Sequence, residues 1–226
     1  MGESRYARHC RFPVGVDCII FSLQEGRLKV LLAPRGFEPA KGVPSLMGGF
    51  VRREETISQA AARVLRELTG LDEVYMEQVG AFGELDRDPE ERVVSIAYYA
   101  LIKPEAEIEH RLAAHQAVWT DIDALPQLYF DHKLMIESAL RMLRRKISTE
   151  PVGFSLLPES FTLAQLQTLH EAILGETLDK RNFRRRILEN VCVERTGGVD
   201  KEGSRRGAAL FRFNRALYEM NSKLKL

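Results

Sequence analysis

The chain has 226 residues, of which 45% are apolar and 29% charged, and its formal net charge is only +1. At on the order of 100–150 residues per domain, this is material for two folded domains with proper cores. The composition excludes a disordered chain, and the overall charge points to no partner. The three cysteines, Cys10, Cys18 and Cys192, are widely spaced and form no CxxC pair. That argues against a disulfide framework or a zinc site and for a reducing, cytoplasmic setting. The start, MGESRYARHCRFPVG, lacks the apolar core of a signal peptide. No run approaches the ~20 apolar residues of a membrane span, so no membrane partner is expected.

In chain order, residues 15–23 and 27–34 read as apolar strands joined by a turn at Gln24-Glu25-Gly26. The Gly- and Pro-rich stretch 35–49 reads as a loop passing into a strand or turn. From Thr56 to Thr69, Ile57, Ala60, Ala61, Val64, Leu65 and Leu68 recur at helical spacing, with Gly70 as the stop. Residues 74–85 and 92–102 are strand-like around a polar loop, 117–122 is a short strand, and 131–149 is a helix. Pro151, Gly153 and Pro158 then break the pattern, which sets the expected boundary between domains 1–150 and 151–226.

The second domain opens with a capping box, Thr162 and Gln165, on a helix that buries Leu166, Leu169 and Ile173 and stops at Gly175. A second helix, 179–190, follows, then strand-like runs 191–195 and 209–214 around a Gly-rich basic segment. Helix, turn, basic helix and basic hairpin make the order of a winged helix-turn-helix. From Pro151 onward there are 13 basic against 9 acidic residues; the front has 20 against 23. An acidic front and a basic back suggest two jobs in one chain.

Between Gly49 and Leu71 the chain resembles the box of the Nudix family, GX5EX7REUXEEXGU with U aliphatic. Gly49, Glu55, Arg63, Leu65, Glu67, Gly70 and Leu71 match it. Val64 and Leu68 stand where two glutamates belong, and upstream Pro44 and Met47 replace the family's usual Trp and Pro. Residues 64, 67 and 68 share one helix face. In a working Nudix enzyme that face gathers carboxylates around Mg²⁺, which takes hard oxygen ligands in near-octahedral geometry. With Glu55, Arg63 and Glu67 as what remains of the box, Glu67 reads either as a helix carboxylate paired with Arg63 or as one ligand of a site completed by Glu54, Asp86 or Asp88. The first reading implies no resident cofactor, weak Mg²⁺ at most, and hydrolysis weak or absent. The second implies an active Mg²⁺-dependent hydrolase of ADP-ribose or a nucleotide sugar.

Either way a cleft remains. Arg35 and the Gly48-Gly49 pair lie where it opens, and Asp86, Arg87, Asp88 and Arg92 share one loop that can fix hydroxyls or a phosphate. The same loop can equally be a solvated connection. The degenerate box followed by DRDPEERVVSIAYYALI and LDKRNFRRRIL is similar to the Nudix-related transcriptional regulators over roughly residues 12–220. The resemblance implies an α+β chain: a Nudix α/β/α sandwich with a mixed sheet that senses a small effector, then a winged helix that binds operator DNA as a homodimer. One branch of that family answers to ADP-ribose and regulates NAD synthesis, another to L-arabinose in sugar catabolism, and SLMGGFV and RVLRELTGL look closer to the latter.

For DNA, the exposed candidates are Lys180, Arg181, Asn182, Arg184 and Arg185 on the second helix, opposite Phe183 and Ile187. Arg205 and Arg206 sit at the hairpin tip. Arg and Asn near the start of a recognition helix suit base edges, and a basic tip suits phosphates. From Leu178 to Arg215 there are 11 basic against 5 acidic residues, which favours a nucleic-acid surface over scattered solvated charge.

Overall fold

The computed structural model describes residues 9–72, 74–201 and 207–223, with 221–223 as backbone alone. By its packing the chain divides into two units. The first holds the residues up to Phe21, Val30–Ala100 and Pro104–Ala139; the second holds Ser22–Lys29, Leu101–Lys103 and the chain from Leu140 on.

The large sheet has seven strands: β1 (Val14–Gln24), β2 (Arg27–Pro34), β3 (Pro44–Ser45), β4 (Met47–Phe50), β5 (Met76–Phe82), β6 (Val94–Leu101) and β7 (Val118–Asp121). Their order is β3-β2-β1-β6-β5, with β4 also on β1 and β7 on β2. β1 lies inside the sheet and is buried from Gly15 to Ser22 without alternation, as a strand covered on both faces requires. Stretch 35–49 passes from loop into strand, as expected, with β3 and β4 as two separate short strands. β3 and β4 arise there because pairing with β2 and β1 is a backbone affair that composition does not display.

Helix α1 (Ile57–Thr69) starts on a capping box, in which Thr56 accepts from the Gln59 backbone and Gln59 reaches back, and ends at Gly70 in the left-handed region, φ 76°. Only glycine takes that conformation without strain. Its inner face buries Ala60, Ala61, Val64, Leu65 and Leu68, the apolar stripe that holds it to the core. Two further helices follow, α2 (Ala106–Ala114) and α3 (His132–Ile147). α2 carries only Ile108 and Leu112 inward, too few to mark it in the sequence.

In the second unit β8 (Phe161–Thr162) leads into α4 (Leu163–Leu174), then α5 (Lys180–Leu188), β9 (Val193–Asp200), β10 (Ala208–Phe213) and α6 (Arg215–Lys223). The small sheet runs β8-β10-β9. Leu166, Leu169, Ile173, Phe161, Phe183 and Phe211 form the core. β9 continues through Thr196-Gly197-Gly198, beyond the 191–195 run. The pairing skips from Ala209–Val199 to Phe211–Arg195, and Gly197 at φ 82° absorbs the extra residues as a bulge.

Candidate functional site

A cleft of about 610 Å³ opens in the first unit over β1, β4 and the 83–93 loop, a size typical of small-molecule sites. Asp17, in the middle of β1, faces Gly48 across the β1–β4 pair. A side chain at Gly48 would strike the Asp17 carboxylate and come within 2.8 Å of the Val16 carbonyl oxygen; the glycine permits the close approach.

Asp17 accepts a 2.5 Å hydrogen bond from the Ser95 hydroxyl. Beside it, the almost fully buried Arg87 side chain donates to Asp131 through Nε at 3.1 Å and Nη2 at 2.8 Å, with Asp17 3.8 Å away. His132 Nδ1 accepts from the Leu46 N–H at 3.1 Å, so the neutral ring carries its proton on Nε2, 3.7 Å from the Asp17 carboxylate. Burial holds the His132 pKa below its ordinary value, against the pull of Asp17 and Asp131. The cleft floor is thus a web of two carboxylates, one guanidinium and one neutral imidazole.

At the wall, Arg35 Nε donates to the Pro39 carbonyl at 2.7 Å. Its guanidinium carbon sits 4.1 Å from the centre of the Phe37 ring, 5.2 Å from Tyr129 and 5.0 Å from Phe130. Arg35, Gly48, Gly49, Arg87 and Asp88 all line the cleft. Asp86 is exposed outside its lining, and Arg92 lies with its guanidinium 5.6 Å from the Phe12 ring, also outside it. Asp17, Ser95, Phe130 and His132, which nothing in the sequence singles out, also line the cleft, with Asp131 behind Arg87. No local motif marks them.

The box residues are committed elsewhere. Arg63 donates to Glu55 at 3.0 and 2.7 Å and to the Phe50 carbonyl at 3.0 Å, stapling the 50–55 turn to α1. The Arg63 hydrogen bonds hold the Glu55 pKa down, to about 2. Glu67 is more than half exposed, 3.6 Å from Arg63 and 3.7 Å from Arg52. Cys18, buried with Sγ 3.6 Å from the Ala61 carbonyl, has its thiol pushed up by burial and is unreactive.

In the second unit, Glu171 accepts from the Leu178 N–H and Gln167 donates to the Leu178 carbonyl, setting the turn between α4 and α5. Asp179 caps α5 through the Asn182 N–H at 2.8 Å. Phe183 turns inward, its ring centre 5.1 Å from that of His170. Lys180, Arg181, Asn182, Arg184 and Arg185 are all exposed, with Arg185 donating to the Asn182 side chain at 3.3 Å. Arg205 and Arg206 lie outside the described residues.

Residues 11–139 match the NUDIX domain family, and residues 153–213 match the NrtR DNA-binding winged helix domain. The chain belongs to the Nudix-related transcriptional regulators. This regulator is 36% identical over 210 residues to the "ADPR responsive transcriptional repressor NtrR" of Acinetobacter baylyi, covering 91% of this chain and 84% of that one. A crystal structure of Shewanella oneidensis NrtR complexed with a 27mer DNA matches at 32% identity and a TM-score of 0.79, over 88% of this chain and 93% of that chain. The NUDIX domain of the same protein, complexed with ADP ribose, matches at 28% identity and a TM-score of 0.52, over 63% of this chain and 99% of that one. The expected fold, a mixed-sheet Nudix domain followed by a winged helix, is the fold of these relatives. They lend no support to L-arabinose as effector.

The Mg²⁺ chemistry of the wider family does not fit this regulator's α1. Val64 and Leu68 are 5% and 1% exposed, set into the core. The two box carboxylates that remain are engaged by arginines. Among the described residues no group of three or more His, Cys, Asp or Glu is placed to hold a metal ion, so neither Glu54, Asp86 nor Asp88 completes a cluster with Glu67. Mg²⁺ needs several hard oxygens in octahedral reach, and this helix face offers hydrocarbon. No described helix is long and apolar enough to cross a membrane.

Proposed function

We propose that this chain is an ADP-ribose-responsive transcriptional repressor. Its Nudix-fold cleft binds the effector and its winged helix binds operator DNA as a homodimer, with α5 in the major groove and the β9–β10 hairpin along the backbone. The observation that carries this reading is the likeness to an ADPR-responsive repressor across both units at once, 91% of the chain. The exposed basic face of α5, held outward by the inward turn of Phe183, supports it. A two-fold dimer meets two half-sites about one helical turn of DNA, ~34 Å, apart. Effector shifts the DNA-bound population only through different affinities for the free and bound forms. The hydrolase reading is the weaker one, because the likeness to a pyrophosphatase spans only 61% of the chain and α1 sets hydrocarbon, Val64 and Leu68, where Mg²⁺ needs carboxylates.

The test is a mobility-shift titration with upstream DNA from this organism's NAD-synthesis genes, at several salt concentrations, with and without ADP-ribose. Binding that weakens with salt and is released by ADP-ribose supports the reading. Arg184→Ala with Arg185→Ala lowers affinity and reduces the salt slope by about one for each phosphate the variant no longer neutralises. Operator binding unchanged by the double substitution would mean that α5 is not the reading helix.

A further inference from the structure

The charges lining the cleft are unevenly matched. Arg87 has its carboxylates, Asp131 and Asp17. Arg35 has none within ion-pair distance among the described residues; its only hydrogen bond there is the one Nε donates to the Pro39 carbonyl. That bond and the rings of Phe37, Tyr129 and Phe130 fix the guanidinium plane and leave its outer edge, Nη1 and Nη2, as a free two-pronged donor. The 83–93 loop brings Asp88, Glu90 and Glu91 to the same cleft.

We infer that Arg35 is the anion subsite of this cleft, gripping an internal diphosphate, and that the Asp88–Glu91 segment admits only a neutral polyhydroxyl cap on that diphosphate. The inference rests on the effector reading above and gives it a polarity. A planar guanidinium forks onto two phosphate oxygens, which a lysine cannot copy. Because the ring cage already holds it in place, little side-chain freedom is lost on binding. Carboxylates accept hydrogen bonds from sugar hydroxyls but repel a terminal phosphate, so the acidic segment rejects an uncapped nucleoside diphosphate by like charge. A free pentose, lacking the anion, gains nothing from Arg35.

Calorimetric titration of the full chain with ADP-ribose, ADP, D-ribose and inorganic pyrophosphate tests this. Arg35→Gln is expected to weaken ADP-ribose about tenfold or more, the scale of a lost charged hydrogen-bond pair, with an unchanged melting temperature. Asp88→Asn with Glu91→Gln is expected to narrow the preference for ADP-ribose over ADP severalfold. If Arg35→Gln misfolds, Phe37→Ala, which removes an exposed ring of the cage, carries the test through a severalfold loss. ADP-ribose bound within twofold of the unsubstituted chain by folded Arg35→Gln overturns the inference and leaves the effector reading standing. Failure of the unsubstituted chain to bind ADP-ribose overturns the effector reading, whereas pyrophosphate bound by Asp88→Asn with Glu91→Gln and lost when Arg35→Gln is added still upholds the anion subsite.

Discussion

Arg87 and Asp131, 44 residues apart, meet in a two-pronged ion pair that ties the 83–93 loop to the start of α3 on the cleft floor. Both side chains are largely out of water, so each guards the other against an uncompensated buried charge. Removing one partner is therefore far costlier than removing both. Asp131→Ala is expected to destabilise the first unit by about 3 kcal/mol or more, and Arg87→Met with Asp131→Ala by less than the sum of the single changes. Urea denaturation of the three variants measures this; additive losses would show that the pair contributes no coupling.

The Glu55–Arg63 staple has a pH signature. The folded-state pKa of Glu55 is depressed from 4.5 to about 2 by the Arg63 hydrogen bonds. The stabilisation is present in full above 4.5 and is lost as pH falls toward 2, because the unfolded chain then binds the proton more readily. Glu55→Gln is expected to be less stable than the unsubstituted chain at pH 7, with the gap closing between pH 4.5 and 2. Melting temperatures across that range give the comparison.

His170 behaves in the opposite chemical sense with the same sign. Burial, helped by Arg186, lowers its pKa from 6.5 to about 4. The fold prefers the neutral ring while the unfolded chain takes up a proton below pH 6.5, so stability falls as pH drops from 6.5 to 4. The loss is up to roughly 3 kcal/mol at 1.36 kcal/mol per pKa unit. His170→Phe should flatten that limb of the stability curve, and nuclear magnetic resonance titration of the ring should locate its midpoint near 4.

Leu68 decides whether the enzyme face can be rebuilt. Its side chain is 1% exposed, so Leu68→Glu puts a carboxylate into hydrocarbon rather than at a metal site. The substitution is expected to cost about 3 kcal/mol or more. Val64→Glu with Leu68→Glu should not yield Mg²⁺-dependent ADP-ribose hydrolysis. Release of AMP and ribose 5-phosphate from ADP-ribose by a folded double variant would show that the helix face had been open to metal all along.

Local signals made much of this molecule legible before any coordinates. The Thr162 capping box, the Gly70 and Gly175 stops and the apolar spacing of α1 and α4 are written in neighbouring residues, and they sit where the periodicity placed them. The spaced pattern from Gly49 to Leu71 and the basic α5 carried the family, because a motif within one loop and one helix survives in linear order. Short β3 and β8, by contrast, are made by partners, and α2 has too narrow an apolar face to announce itself.

The cleft floor belonged to the tertiary structure alone. Asp17 and Ser95 are 78 residues apart, and Leu46 and His132 are 86 apart; only the packing of β1, β6 and α3 brings them together. The sequence singled out Arg35 and Arg87 as cleft cations but ranked them alike. Folding separated them, giving Arg87 its buried carboxylates and leaving Arg35 a ring cage and an open edge. Charge partners depend on distances in space, which no spacing along the chain encodes.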